Sequence, residues 1–144
     1  AREELAKHWK PGSHGSTYAG NGLSCAVTHE LLSLVEEGLM DNAAKVGPHM
    51  LGRLEALKSR FPQIGAVRGR GLMIGVELID PATGEPDHDL ADEVMADAFR
   101  KGLLVLTCGA STIRFCPPLV ITEEQADEAV ERFALALAAV TSGR

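Results

Sequence analysis

Apolar positions in this chain change texture along its length, from helical spacing to short continuous runs and back. Leu23, Ala26, Val27, Leu31, Leu34 and Val35 fall at helical spacing, with Gly38 as a stop. Leu39, Ala43, Val46, Met50, Leu54, Leu57 and Phe61 predict a longer helix from about Met40 to Phe61-Pro62. Gly47-Pro48 lies inside it, and proline removes a backbone donor, so a kink or two shorter helices are expected. Leu90, Ala91, Val94, Met95 and Ala98 mark a helix that stops at Gly102. Thr122 and Gln125 form a capping-box pattern ahead of a last helix, with Ala126, Val130, Phe133, Leu137 and Val140 on one face. Glu3 to Trp9 reads as the end of a helix broken by Lys10-Pro11-Gly12.

Between the helical stretches the runs shorten. Ile64–Val67 and Leu72–Ile79 predict strands joined through a Gly69–Gly71 turn. The second is apolar on both faces except at Glu77, which predicts a central strand. Leu103–Thr107 and Thr112–Cys116 predict two more, and Pro117-Pro118 ends the ladder. The order is helix, helix, strand, strand, helix, strand, strand, helix. It predicts an α+β fold, a small mixed or antiparallel sheet with helices on one face.

The chain has 144 residues, 45% hydrophobic and 24% charged, enough for one domain with a real core. A net charge of −6 argues against nucleic acid or an anionic membrane as the main partner. Arg68-Gly69-Arg70-Gly71 stands alone between apolar runs and reads as a tight turn, not an RNA-binding element. The longest apolar run, Phe133 to Val140, is too short to span a bilayer, and no secretory signal is visible. Cys25, Cys108 and Cys116 are odd in number and form no Cys-x-x-Cys pair, which points to a reducing, cytoplasmic setting. The five histidines show no metal-ligand spacing, and no metal is expected. The chain starts without Met and reads as a C-terminal piece of something longer.

Two places carry chemistry. His14-Gly15-Ser16-Thr17-Tyr18-Ala19-Gly20-Asn21 is a hydroxyl- and glycine-rich loop directly ahead of a helical pattern, with Asn21 as its N-cap. Hydroxyls, backbone N–H groups and a helix N-terminus suit a phosphate, and the same residue types also serve simply as turn and cap. Thr17 is therefore a phosphate ligand or a turn residue bonded to its own backbone, and Ser16 a second donor. Arg114 is the one charge in Thr112–Cys116. A lone Arg among apolar residues is expected to need a carboxylate, supplied by a substrate or by a protein Asp or Glu. Its planar fork matches a carboxylate with two hydrogen bonds. Arg68 reads as structural, holding two strands together, and the role of His14 stays open.

The loop resembles the phosphate-binding loop of the class III pyridoxal-phosphate (PLP) aminotransferases, the 4-aminobutyrate and ornithine group. Further stretches similar to that family follow in order: Val67-Arg68-Gly69-Arg70-Gly71-Leu72-Met73, Lys101-Gly102-Leu103-Leu104 and Ile113-Arg114-Phe115-Cys116-Pro117-Pro118-Leu119. The resemblance implies that Thr17 binds the PLP phosphate of the neighbouring subunit in a homodimer, with Ser16 assisting. It implies that Arg114, just before Pro-Pro-Leu, binds the substrate carboxylate. It implies the small C-terminal domain of the type I PLP-dependent transferase fold over residues 41–144, including the linking helix, with 1–40 a remnant of the large cofactor domain. The family's Schiff-base Lys lies upstream of the Thr loop, so no catalytic residue is expected in this chain. Lys7, Lys10, Lys45, Lys58 and Lys101 match no such position. The implied reaction moves an amino group from an amino acid to 2-oxoglutarate, and the chain by itself is expected to be inactive.

Leu104-Val105-Leu106-Thr107-Cys108-Gly109 ahead of Arg114 favours 4-aminobutyrate or another omega-amino acid as donor. The alternatives within the family are an acetylornithine or ornithine aminotransferase, or a decarboxylase or mutase. The alternative from another class is a non-catalytic α+β ligand-binding module.

Overall fold

The structure, a computed structural model, describes residues 2–10, 12, 13 and 15–142. They fall into two compact units, residues 1–37 and 38–144. The first holds a short helix, α1 (Glu3–Ala6), the loop, and α2 (Gly22–Leu34). Asn21 caps α2, its side-chain oxygen accepting from Leu23 N (3.0 Å) and Ser24 N (3.3 Å). No residue of α2 is buried. Leu23, Val27, Leu31 and Leu34 are all exposed, Leu23 to 76%, so the helical pattern is real but its apolar face has no cover within this unit. Gly38 (φ 157°, ψ −13°) breaks the helical path where a stop is expected.

The second unit is built on a four-stranded antiparallel sheet of β1 (Ile64–Arg70), β2 (Met73–Leu78), β3 (Leu106–Cys108) and β4 (Thr112–Phe115), in the order β1-β2-β4-β3. Three helices, α3 (Met40–Ala56), α4 (His88–Arg100) and α5 (Glu123–Thr141), complete it. α3 and α4 pack on the sheet, and α5 packs on both of them. Phe133 of α5 reaches past them to β4, its ring edge-on to Phe115 at 5.3 Å. Ile74, Val76, Leu78, Ile113 and Phe115 point into this core with Met50, Leu54, Leu90, Val94 and Leu137. The α+β architecture is the one the pattern predicts.

Of the two outcomes expected at Gly47-Pro48, a kink or two shorter helices, the second does not occur: α3 runs through Pro48 as one helix. The lost backbone bond is offset by packing: Val46, Gly47, Met50 and Leu54 are buried on one face. Gly47 is essential to that approach, because a Cβ there would sit 2.3 Å from the carbonyl oxygen of Gly71 in the β1–β2 turn. That turn is two residues, with Gly71 at φ 54°, a backbone that glycine supplies at the first turn position of a hairpin. β1 therefore extends three residues beyond the predicted strand, to Arg70.

Two other expectations shift. β2 is central, as predicted, yet only one of its faces is packed: Met73 is 62% exposed, and Gly75 and Glu77 share its side. β3 covers Leu106–Cys108 in place of Leu103–Thr107. Its register with β4 pairs Cys108 with Thr112 and Leu106 with Arg114, so Leu103 would have to pair at Pro117, which has no donor. The capping box of α5 is complete, with Gln125 N donating to Thr122 Oγ1 (3.3 Å) and Thr122 N to Gln125 Oε1 (3.1 Å). Its own backbone N–H, helped by the Thr122 hydroxyl, holds the Glu124 carboxyl below its ordinary pKa. Among the described residues no helix is long and apolar enough to cross a membrane.

Candidate functional site

In the first unit, Gly15 to Gly22 are all exposed. The loop is held from inside: Ala19 N donates to Ser16 O, Asn21 N to Tyr18 O, and Tyr18 N to Ser16 Oγ (3.3 Å). Gly20 (φ 73°) turns the chain back towards the cap. Ser13, Gly15, Ser16 and Ala19 line a shallow concavity. The Thr17 hydroxyl has no hydrogen-bond partner among the described residues, and Ser16 Oγ, already an acceptor, keeps its proton to donate. Ser16 lines the concavity and Thr17 follows it in the chain; two consecutive hydroxyls with uncommitted protons fit a phosphate. The end of α2 contributes less than expected, because Asn21 has taken the N–H groups of Leu23 and Ser24. His14 lies outside the described residues.

In the second unit, Arg114 sits on β4 between Gly75 of β2 and Leu106 of β3. Its apolar neighbours Ile113 and Phe115 point into the core, and Arg114 points out. This corrects the expectation of a buried cation in need of a partner: strand alternation leaves Arg114 exposed and free of the desolvation cost. Among the described residues no carboxylate lies within ion-pair distance of it. Arg68 of β1 occupies the same row on the other side of Gly75 and pairs with Glu77 Oε2 at 3.1 Å. Arg68 thus ties β1 to β2 through the Glu77 carboxylate.

The chain matches the family "Aminotransferase class-III" over residues 1–137. It belongs to the class III aminotransferases. It is 39% identical over 137 residues to the diaminobutyrate–2-oxoglutarate aminotransferase of Rhizobium meliloti (strain 1021), covering 88% of this chain and 29% of that protein. It is 38% identical over 144 residues to the isoleucine 2-epimerase of Lentilactobacillus buchneri, covering 99% and 32%. Acetylornithine and ornithine aminotransferases are among the further relatives. Among solved structures it is similar to a PLP-bound amine transaminase from an uncultivated Pseudomonas species, with TM-score 0.80 and 37% identity over 89% of this chain and 30% of that one. The chain thus spans about a third of the length of the curated relatives it matches.

Pyridoxal phosphate is the cofactor that the class III aminotransferase family implies, and the Ser16–Thr17 donors fit its phosphate. Lys7 and Lys10 are exposed, and Lys45, Lys58 and Lys101 are ion-paired to Glu123, Glu55 and Asp97. The Arg68–Glu77 pair is not legible in the sequence. Its only signal is Glu77 as the single charge in β2, which becomes informative once the register is known.

Proposed function

We propose that this chain is the phosphate- and carboxylate-binding part of a PLP-dependent transaminase that moves an amino group from 4-aminobutyrate or a related omega-amino acid to 2-oxoglutarate. The observation that carries the reading is Arg114, a guanidinium fork presented outward with no carboxylate of the described residues on it. Bidentate bonding orients the substrate by its carboxylate, leaving the amino end to the reacting centre. Thr17 and Ser16 donate hydroxyl protons to the cofactor phosphate, anchoring it without a mobile charge. Bound PLP supplies an electron sink for charge developing on the substrate carbon. The amine that carries the cofactor comes from outside these 144 residues, and the chain alone has no turnover in this reading.

The exposed loop serves the cofactor of a second copy, which makes the functional protein a homodimer. Residues 1–40 belong with the large cofactor domain and 41–144 form the small one; the bare apolar face of α2 supports this, since in the full-length protein the large domain covers it. A cytoplasmic setting goes with the odd number of cysteines.

In the full-length protein, turnover with 2-oxoglutarate should be faster for 4-aminobutyrate than for ornithine or acetylornithine. A clear preference for ornithine or acetylornithine would move the protein to that branch. Thr17→Ala should weaken PLP retention, measured by equilibrium dialysis, while thermal unfolding of the apoprotein stays unchanged, because the Thr17 hydroxyl bonds to none of the described residues. Unchanged PLP affinity would remove Thr17 from the phosphate site.

A further inference from the structure

We infer that Arg68 is a positioning residue for Arg114: it holds the one carboxylate of the sheet, Glu77, on the far side of Gly75, so that the Arg114 guanidinium stays open to an incoming carboxylate. The inference rests on reading Arg114 as the carboxylate ligand.

The four strands carry only four charged residues, Arg68, Arg70, Glu77 and Arg114. The register puts all four on one face. Arg68, Gly75 and Arg114 form a single row, and Glu77 lies two residues along β2 from Gly75. Directly opposite Glu77 stand Ala66 on β1 and Thr112 on β4. Arg68 is two residues beyond Ala66, and Arg114 is two residues beyond Thr112. Glu77 therefore faces two guanidiniums across matching diagonals, a spacing that long side chains span. It has taken one: Arg68 Nη1 to Glu77 Oε2 is 3.1 Å, and Arg114 has no such bond. Arg70 pairs across from Met73, four residues from Glu77, and does not compete.

With Arg68 gone, the nearest cation left to Glu77 on this face is Arg114. A Glu77–Arg114 bond would occupy the same fork that a substrate carboxylate needs. Arg68 thus acts on binding without touching substrate, and its effect requires Glu77. A purely structural role would not.

The test reads the state of Arg114 directly in this 144-residue chain. Phenylglyoxal modifies an unpaired guanidinium faster than a paired one, and peptide mass mapping follows Arg114. Arg68→Met should slow its modification several-fold, Arg68→Met with Glu77→Gln should restore the original rate, and Arg68→Lys should leave it unchanged. An original rate in Arg68→Met, or a slow rate that persists in the double variant, overturns the inference. If Arg68→Met does not fold, the unaltered chain decides by nitrogen-15 NMR. Acidification that protonates Glu77 should move the Arg68 Nε–Hε signal and leave that of Arg114 in place; movement of Arg114 instead overturns the inference. In the full-length protein, Arg68→Met should raise KM for 4-aminobutyrate with kcat nearly unchanged, and adding Glu77→Gln should reverse it. Slowed modification with normal KM in Arg114→Ala would keep the positioning and sink the carboxylate reading. Unchanged modification with a raised KM in Arg114→Ala would do the reverse.

Discussion

Arg114→Ala in the full-length protein should raise KM for 4-aminobutyrate and for 2-oxoglutarate alike. Truncating one partner of a desolvated charge pair costs about 2–5 kcal/mol. Arg114 is open to solvent in this structure, so the lower end is the safer expectation, and about 2 kcal/mol corresponds to roughly a 30-fold rise. Both substrates should be affected, because each carries a carboxylate that the same fork would receive in turn. Arg114→Lys should recover little, since a point charge offers no planar pair of donors. Thermal stability should hardly move, because Arg114 makes no ion pair with any described residue and its side chain lies outside the core. Steady-state kinetics with each substrate, beside a melting curve, separates binding from folding. A normal KM for both substrates would reassign Arg114 to the surface.

Phe133→Ala should act in the opposite way, on the fold and not on a ligand. Phe133 is fully buried and joins α5 to β4 through its edge-on contact with Phe115. Removing a buried Phe side chain costs about 3–5 kcal/mol through lost burial and the cavity left behind. Whole domains are stable by only about 5–15 kcal/mol, so much of the margin would go. For a unit of this size the melting temperature should fall by more than about 10 °C. Phe133→Leu, which keeps most of the volume, should fall by clearly less. A loss of only a degree or two in Phe133→Ala would mean that α5 is docked by its other apolar residues.

What was readable in the sequence was local. Asn21 and the Thr122–Gln125 capping box announce their helices because a cap is a bond between near neighbours. Gly38 and Gly102 mark helix ends for the same reason, Gly102 at φ 79°. What the sequence hid depends on partners far along the chain. Pro48 stays inside α3 because the hairpin at Gly71 receives the buried face of that helix. β3 moved because its register against β4 and Pro117 decides which residues pair. The same holds at the site. The motif singled out Thr17 and Arg114, but not that Arg114 faces outward or that Arg68 holds Glu77. Those facts follow from alternation and register across three strands.

The central claim is that Arg114 reads the carboxylate of the substrate. The most direct measurement compares 4-aminobutyrate with n-butylamine, which keeps the chain and the amine and lacks the carboxylate, in the full-length protein and in Arg114→Ala. The unaltered protein should strongly prefer 4-aminobutyrate in kcat/KM. In Arg114→Ala the preference should collapse, with n-butylamine turned over as before. A preference that survives the substitution, or an equal loss on both amines, would contradict the account.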